Sequence, residues 1–153
     1  MNLNKIIASI FGVGYIKGGG TVAAVITCLV IYLLRPTDVF EHILVLPLAT
    51  VLVTLTGIHT GNQVEADWGK DSSRVVIDEV AGQMIALLFV PLTNFNLIVA
   101  LILFRFFDIV KPLGIRKMEK LPAGTGVMMD DVLAGVYANI VLQIILFIIS
   151  RYV

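Results

Sequence analysis

Five apolar runs, each cut off by a short polar or glycine-rich stretch, constrain this chain more than any other feature. They lie at Thr21–Leu34, His42–Ile58, Asp78-Glu79 to about Val90, Phe95–Phe107, and Asp130 or Asp131 to about Ser150. Surface helices of a soluble domain keep one polar face, and these runs are too continuously apolar for that. Hydrophobic residues make up 58% of the 153, against about 45–50% in ordinary globular chains. A domain of this size has too little interior to hide so much apolar surface. The expected fold class is therefore all-α: a polytopic helical membrane protein, one domain over residues 1–153. It would have about five short transmembrane or partly re-entrant helices. They are short because a full span takes about 20 residues, and the first run offers 14.

The breaks are as informative as the runs. Arg35-Pro36-Thr37-Asp38 ends the first helix, Pro47 is expected to kink the second, and Pro112 ends the fourth. Residues 59–77 form a polar segment, and residues 113–129 read as a basic, glycine-containing loop. Thr50, Thr54, Thr56 and Thr60 can bond back to their own helix, so they need no function. Met1–Phe11 is too short an apolar run for a cleaved signal. Cys28, the single cysteine, sits in an apolar run and reads as packing.

Charge then supplies a topology. The 11 bases and 11 acids cancel, which gives no basic face for nucleic acid. With five spans and an inner N-terminus, segments 1–20, 59–77 and 105–130 share the inner face. They hold nine of the eleven bases, all but Arg35 and Arg151, as the positive-inside rule requires. Counting Asp78, Glu79 and Asp131, which directly follow two of these segments, the same face gathers nine of the eleven acids, all but Asp38 and Glu41. Acids do not follow that rule, so their gathering calls for another cause. A shared site on the cytoplasmic face is the simplest.

Three clusters fall on that face. Asp71 precedes Asp78-Glu79 at the start of the third run; Arg105, Asp108 and Lys111 end the fourth; Asp130-Asp131 open the fifth. Carboxylates at helix ends make a hard oxygen site suited to Mg²⁺, and no His/Cys cluster competes. Acids at helix N-termini also stabilise the dipole by about 0.3–1 kcal/mol, so the pairs could be only caps, and Arg105–Asp108 an ordinary salt bridge. Gly82 and Gly135, one turn beyond each acidic pair, favour close approach of a backbone or a ligand. The turn Gly18-Gly19-Gly20-Thr21 before a helix could bind an anion, or be only a flexible turn with a cap. Cysteine, haloacid-type and histidine phosphatase patterns are absent, as is the CDP-alcohol phosphotransferase signature. A small transporter or channel subunit with an acidic relay is the competing class; it would place its acids at helix midpoints.

Four pieces carry a resemblance: GYIKGGGTVAA (14–24), DSSRVVIDEVAG (71–82), FRFFDIVKP (104–112) and GTGVMMDDVLAG (124–135). In this order and spacing they resemble the bacterial phosphatidylglycerophosphatase A family. The chain departs from the family at Gly19 and Gly114, where proline is usual; both are loop-stiffening positions. The resemblance implies Mg²⁺-dependent hydrolysis of phosphatidylglycerophosphate to phosphatidylglycerol and phosphate, in the bacterial cytoplasmic membrane, with a phospholipid substrate. The expected metal ligands are Asp78, Glu79, Asp108, Asp130 and Asp131. Arg105 and Lys111 would bind the substrate and offset charge on the phosphoryl oxygens, with Asp131 also catalytic. Asp71 would order the loop or position water, and Gly20 and Thr21 would hold the second, diester phosphate. Arg116, Lys117 and Lys120 would sit on anionic lipid.

Overall fold

A computed structural model describes residues 2–34 and 39–152, with side chains left out at 39–42. Among the described residues every regular element is helical. Six α-helices run α1 (Leu3–Ala8), α2 (Gly19–Leu33), α3 (Val39–Trp68), α4 (Ile77–Ala86), α5 (Asn94–Val110) and α6 (Ala123–Tyr152), with 3₁₀ turns at Val13–Tyr15 and Ile115–Lys120. The break expected at Arg35–Asp38 lies outside the described residues, as do the side chains of Glu41 and His42.

The surface is inside out for water. Leu44, Leu48, Val51 and Leu55 on α3 are exposed, as are Phe95, Ile98 and Ile102 on α5 and Ile140, Ile144 and Phe147 on α6. Contiguous apolar faces of this extent need a non-aqueous neighbour. Ile43–Trp68 and Ala123–Tyr152 are long and apolar enough to cross a membrane, and few of their residues are buried inside the protein. This is the all-α architecture of a helical membrane protein. The threonines behave as the sequence suggests: Thr50, Thr54 and Thr60 donate to the carbonyls of Leu46, Thr50 and Thr56 at 2.7, 2.8 and 2.9 Å. Helix α3 continues through Pro47.

Two helices differ from expectation, and both differences place the polar end of the molecule. The last helix begins at Ala123, well before Asp130. Glycines at 124 and 126 read as loop, yet both are buried where packing overrides the helix propensity penalty of about 1 kcal/mol each. The third apolar run ends early, with α4 stopping at Ala86 after 10 residues. Ten residues rise about 15 Å, half of a hydrocarbon core of about 30 Å. A helix that stops there needs its last carbonyls satisfied. Leu87 and Leu88 N–H donate to the Met84 and Ile85 carbonyls, and the Asn139 amide of α6 donates to those of Ala86 and Leu88 at 3.1 and 2.9 Å.

The segments expected to share one face do meet. Lys5 pairs with Asp67 at 2.7 Å, and Val76 N–H donates to the Ala8 carbonyl at 2.9 Å. Gly124 N–H donates to the Asn62 side chain at 2.8 Å. Under this end lies a small core of Ala8, Val64, Val75, Ile77, Ala81 and Met128. The larger core, around Leu87, Phe104 and Leu142, fills the space between α2, α4, α5 and α6.

Candidate active site

Asp78 and Glu79 occupy the first turn of α4, and Asp131 lies about two turns inside α6. One carboxylate oxygen from each comes within 4.8 Å of the others. The juxtaposition is built by glycine. A Cβ on Gly82 would stand 2.7 Å from the Asp131 carbonyl oxygen and strike the Phe104 ring, and one on Gly135 would strike the Gly82 carbonyl oxygen. Helices α4 and α6 therefore touch backbone to backbone one turn from the acids. Gly20, in the first turn of α2, gives Glu79 its place in the same way: a Cβ there would overlap the Glu79 carboxylate.

Helix α5 closes the cluster. Arg105 pairs with Asp108 at 2.6 Å and approaches Glu79 at 4.0 Å, and Asp108 lies beside both Glu79 and Asp131. Four carboxylates thus face one guanidinium. Asp78 and Asp131 are 8% and 3% exposed, so water screens them little. At an effective dielectric of about 20, like charges near 5 Å repel by about 3 kcal/mol per pair. Asp78 Oδ1 and Glu79 Oε2 are buried with no hydrogen-bond partner among the described residues. Such an arrangement is relieved by further positive charge, whether protons or a bound cation. Hard, unpartnered carboxylate oxygens converging from two helices fit a divalent cation of the Mg²⁺ kind.

The remaining expected residues fall in three places. Lys111, the left-handed C-cap of α5, bridges Asp130 at 2.5 Å and Glu119 at 2.9 Å. Burial by itself would lower the Lys111 ammonium, but the two bonds outweigh it and hold its pKa above the ordinary lysine range. The same contact holds the Glu119 carboxyl below its usual range. Asp130 is thus committed to a lysine, while its neighbour Asp131 faces the cluster. Asp71 is exposed, with a left-handed φ of 54°. It lines a cleft of about 300 Å³ with Lys70, Glu119, Gly126 and Val127. Gly20 and Thr21 line a different cleft, of about 590 Å³, whose wall includes Glu79 and Arg105. That cleft reaches the acidic cluster.

Glu119, Arg74 and Gln83 belong to this region without having stood out in the sequence. Glu119 is the one acid in the basic stretch 113–129, a signal that it pairs with a nearby base. Arg74 lines the larger cleft; the sequence hinted at it by its place in the 71–82 piece, four residues ahead of Asp78. Gln83 is a polar residue in an apolar run, one turn past Glu79. It is fully buried, and neither amide atom has a partner among the described residues.

Comparison with known proteins gives the family. The sequence profile of the family described as Phosphatidylglycerophosphatase A matches residues 6–146. A Bacteroides thetaiotaomicron protein, provisionally named a phosphatidylinositol-3-phosphatase, is 52% identical over 103 residues, 65% of each chain. The Phosphatidylglycerophosphatase A of Haemophilus influenzae is 44% identical over 95 residues, covering 60% of this chain and 58% of that one. The Escherichia coli protein of the same name is 32% identical over 101 residues, covering 64% and 59%. The matches thus span somewhat under two thirds of these relatives' lengths. No solved structure matches the chain. With its acids, Arg105 and the glycine crossings all inside the matched span, the chain belongs to the phosphatidylglycerophosphatase A family.

Proposed function

We propose that this protein is a Mg²⁺-dependent lipid phosphatase that hydrolyses phosphatidylglycerophosphate to phosphatidylglycerol and phosphate. The observation that carries the proposal is the convergence of Asp78, Glu79 and Asp131 beside Arg105, at the wall of a cleft large enough for a phosphorylated head group. Family membership supplies the head group. The name of the Bacteroides relative points to a phosphorylated inositol head. Both lipids carry a phosphate monoester on a polyol that is itself joined to the lipid through a phosphodiester.

Asp78, Glu79 and Asp131 would hold the metal, with Asp108 beside them. Bound there, Mg²⁺ would supply Lewis-acid charge to the phosphoryl oxygens. Arg105, already fixed by Asp108, would present its remaining N–H groups to the same oxygens as charge grows on them. The scissile bond joins phosphorus to the glycerol oxygen; water adds to phosphorus and the alkoxide leaves with a proton. Lys111 would keep Asp130 neutralised, so that only Asp131 of that pair adds charge to the cluster. Asp71, at the neighbouring cleft, would order the 69–76 loop. The protein would be multi-pass in the bacterial cytoplasmic membrane, with the acidic end at the cytoplasmic surface. The positive-inside count and the gathering of segments 1–20, 59–77 and 105–130 support that orientation.

Phosphate release by the purified protein in detergent micelles tests the reading. Turnover of phosphatidylglycerophosphate is expected with Mg²⁺ and lost on chelation. Chelator-resistant turnover would remove the metal from the proposal, and activity on other lipid phosphates alone would remove the substrate. Cysteine labelling that reaches residues 113–125 only from outside the cell would overturn the orientation.

A further inference from the structure

We infer that Arg74, with Lys17, forms a second anion subsite that reads the phosphodiester of the lipid and so selects lipids bearing two phosphates. This rests on the proposed phosphatase reading and assigns Arg74 a specificity role within it.

The cleft that reaches Glu79 and Arg105 has a second basic part. Its lining includes Tyr15, Lys17, Gly18, Thr21, Ser73 and Arg74. The two bases at the acidic end of α5 are spoken for: Arg105 by Asp108 and Lys111 by Asp130 and Glu119. Arg74 and Lys17 make no ion pair among the described residues. Arg74, although exposed, lies against two aromatic rings. Its guanidinium lies 5.7 Å from the Tyr15 ring centroid and 6.0 Å from that of Trp68, and the two rings meet edge to face. Stacking on aromatic faces orients a guanidinium while leaving its N–H edge free for a phosphate. The backbone is fixed too: a Cβ on Gly14 would collide with the Arg74 carbonyl oxygen, so the glycine-rich turn and the Arg74 segment are pressed together into one wall.

A phosphate monoester alone needs only the carboxylate-held metal and Arg105. A cleft of about 590 Å³ is more than one phosphate fills, and falls in the range that takes a whole polar head group. A head group with a monoester at one end and a diester at the other would match the two basic parts. The diester is shared by glycerol and inositol head groups, so the subsite would recognise the class rather than the polyol. Phosphatidate, which has a monoester and no diester, would leave it empty.

The test compares Arg74→Gln and Arg74→Lys with the parent protein in mixed micelles, using phosphatidylglycerophosphate and phosphatidate. Arg74→Gln is expected to raise KM for phosphatidylglycerophosphate about tenfold, with kcat within about threefold, since a contact made equally in ground and transition states moves KM. Phosphatidate hydrolysis should change much less, and Arg74→Lys should recover part of the loss. An equal loss on both lipids, or a loss in kcat alone, would overturn the subsite. Short-chain phosphatidylglycerol, which has the diester and no monoester, gives a readout independent of turnover. Broadening of its ³¹P signal by the parent protein should require about tenfold more Arg74→Gln protein. Equal broadening by both would overturn the inference even if the parent hydrolysed nothing, and an inactive parent that binds phosphatidylglycerol through Arg74 would sink only the phosphatase reading.

Discussion

Asp78-Glu79 and Asp130-Asp131 look alike on paper: two adjacent acids, an apolar stretch following, a glycine one turn on. In the structure they are different devices. The first pair sits in the first turn of a short helix, where the dipole favours negative charge, and both of its side chains face the cluster. The second pair lies deep inside a long helix, beyond the reach of any dipole benefit, which fades within the first turn. A capping explanation fails for it. Adjacent residues on a helix point about 100° apart, and this splits the pair: Asp131 joins Asp78 and Glu79, while Asp130 goes to Lys111. Similar local sequence thus yields one pair that gathers charge and one that is split between gathering and cancelling it.

The sharpest way to break that contrast is to neutralise the two members of the second pair separately. Asp131→Asn removes a cluster ligand and should lower kcat on the order of a thousandfold, about 4 kcal/mol of lost transition-state stabilisation. Asp130→Asn removes the Lys111 partner and should cost about tenfold, through misplacement of its neighbour. Phosphate release under saturating lipid measures both, and equal losses would erase the proposed division of labour. Lys111→Met probes the same split through stability. It strands a buried carboxylate and should cost about 3–5 kcal/mol, read as a lowered melting temperature in detergent. Adding Asp130→Asn to it should return more than half of the loss; an additive double variant would mean the two residues are not coupled.

The glycines separate geometry from charge. At Gly82 an added methyl meets the Asp131 backbone and the Phe104 ring, neither of which can yield cheaply. Gly82→Ala should therefore destabilise by about 1–3 kcal/mol and also disable turnover. At Gly20 the obstacle is the end of the Glu79 side chain, which can swing aside. Gly20→Ala should keep most of the stability while lowering activity tenfold or more. Melting and turnover measured on both proteins decide it, and equal stability losses would contradict the difference in what each methyl meets.

How far this was legible from sequence follows the same lines. The membrane class was plain, because apolar runs have no other way to be satisfied at this chain length. So was the gathering of residues such as Lys5, Asp67, Glu79 and Asp131 at one end, because charge partition between loops is a one-dimensional signal. The start of α6 was hidden: Gly124 and Gly126 carry turn propensity, and only close packing against α3 and the 3₁₀ segment makes helix the better state there. The early end of α4 was hidden as well, since its last carbonyl, Ala86, and that of Leu88 beyond it are satisfied by Asn139, far away in the chain. Which acid of a pair faces which partner depends on helix rotation, and that is fixed by the Gly82–Gly135 crossing, a contact invisible until both helices are placed. Arg74 escaped for the opposite reason: its partners are aromatic faces rather than a complementary charge.

The smallest effect is the one that addresses the metal without using turnover. A ligand that binds only the folded state stabilises by RT ln(1 + [L]/Kd), about 1.4 kcal/mol at ten times Kd, or a few degrees for a chain of this length. Mg²⁺ should raise the melting temperature of the parent protein by that amount. The gain should vanish in Asp131→Asn, whose missing carboxylate belongs to the convergent three. It should persist in Asp130→Asn, because that carboxylate is held by Lys111 and offers the ion little. Adjacent acids with opposite responses would place the cation on the α4–α6 crossing. A gain lost in both variants would instead extend the cation site to Asp130 and require Lys111 to release it. A gain retained in both would move the ion away from this cluster altogether, since neither carboxylate of the pair would then be touching it.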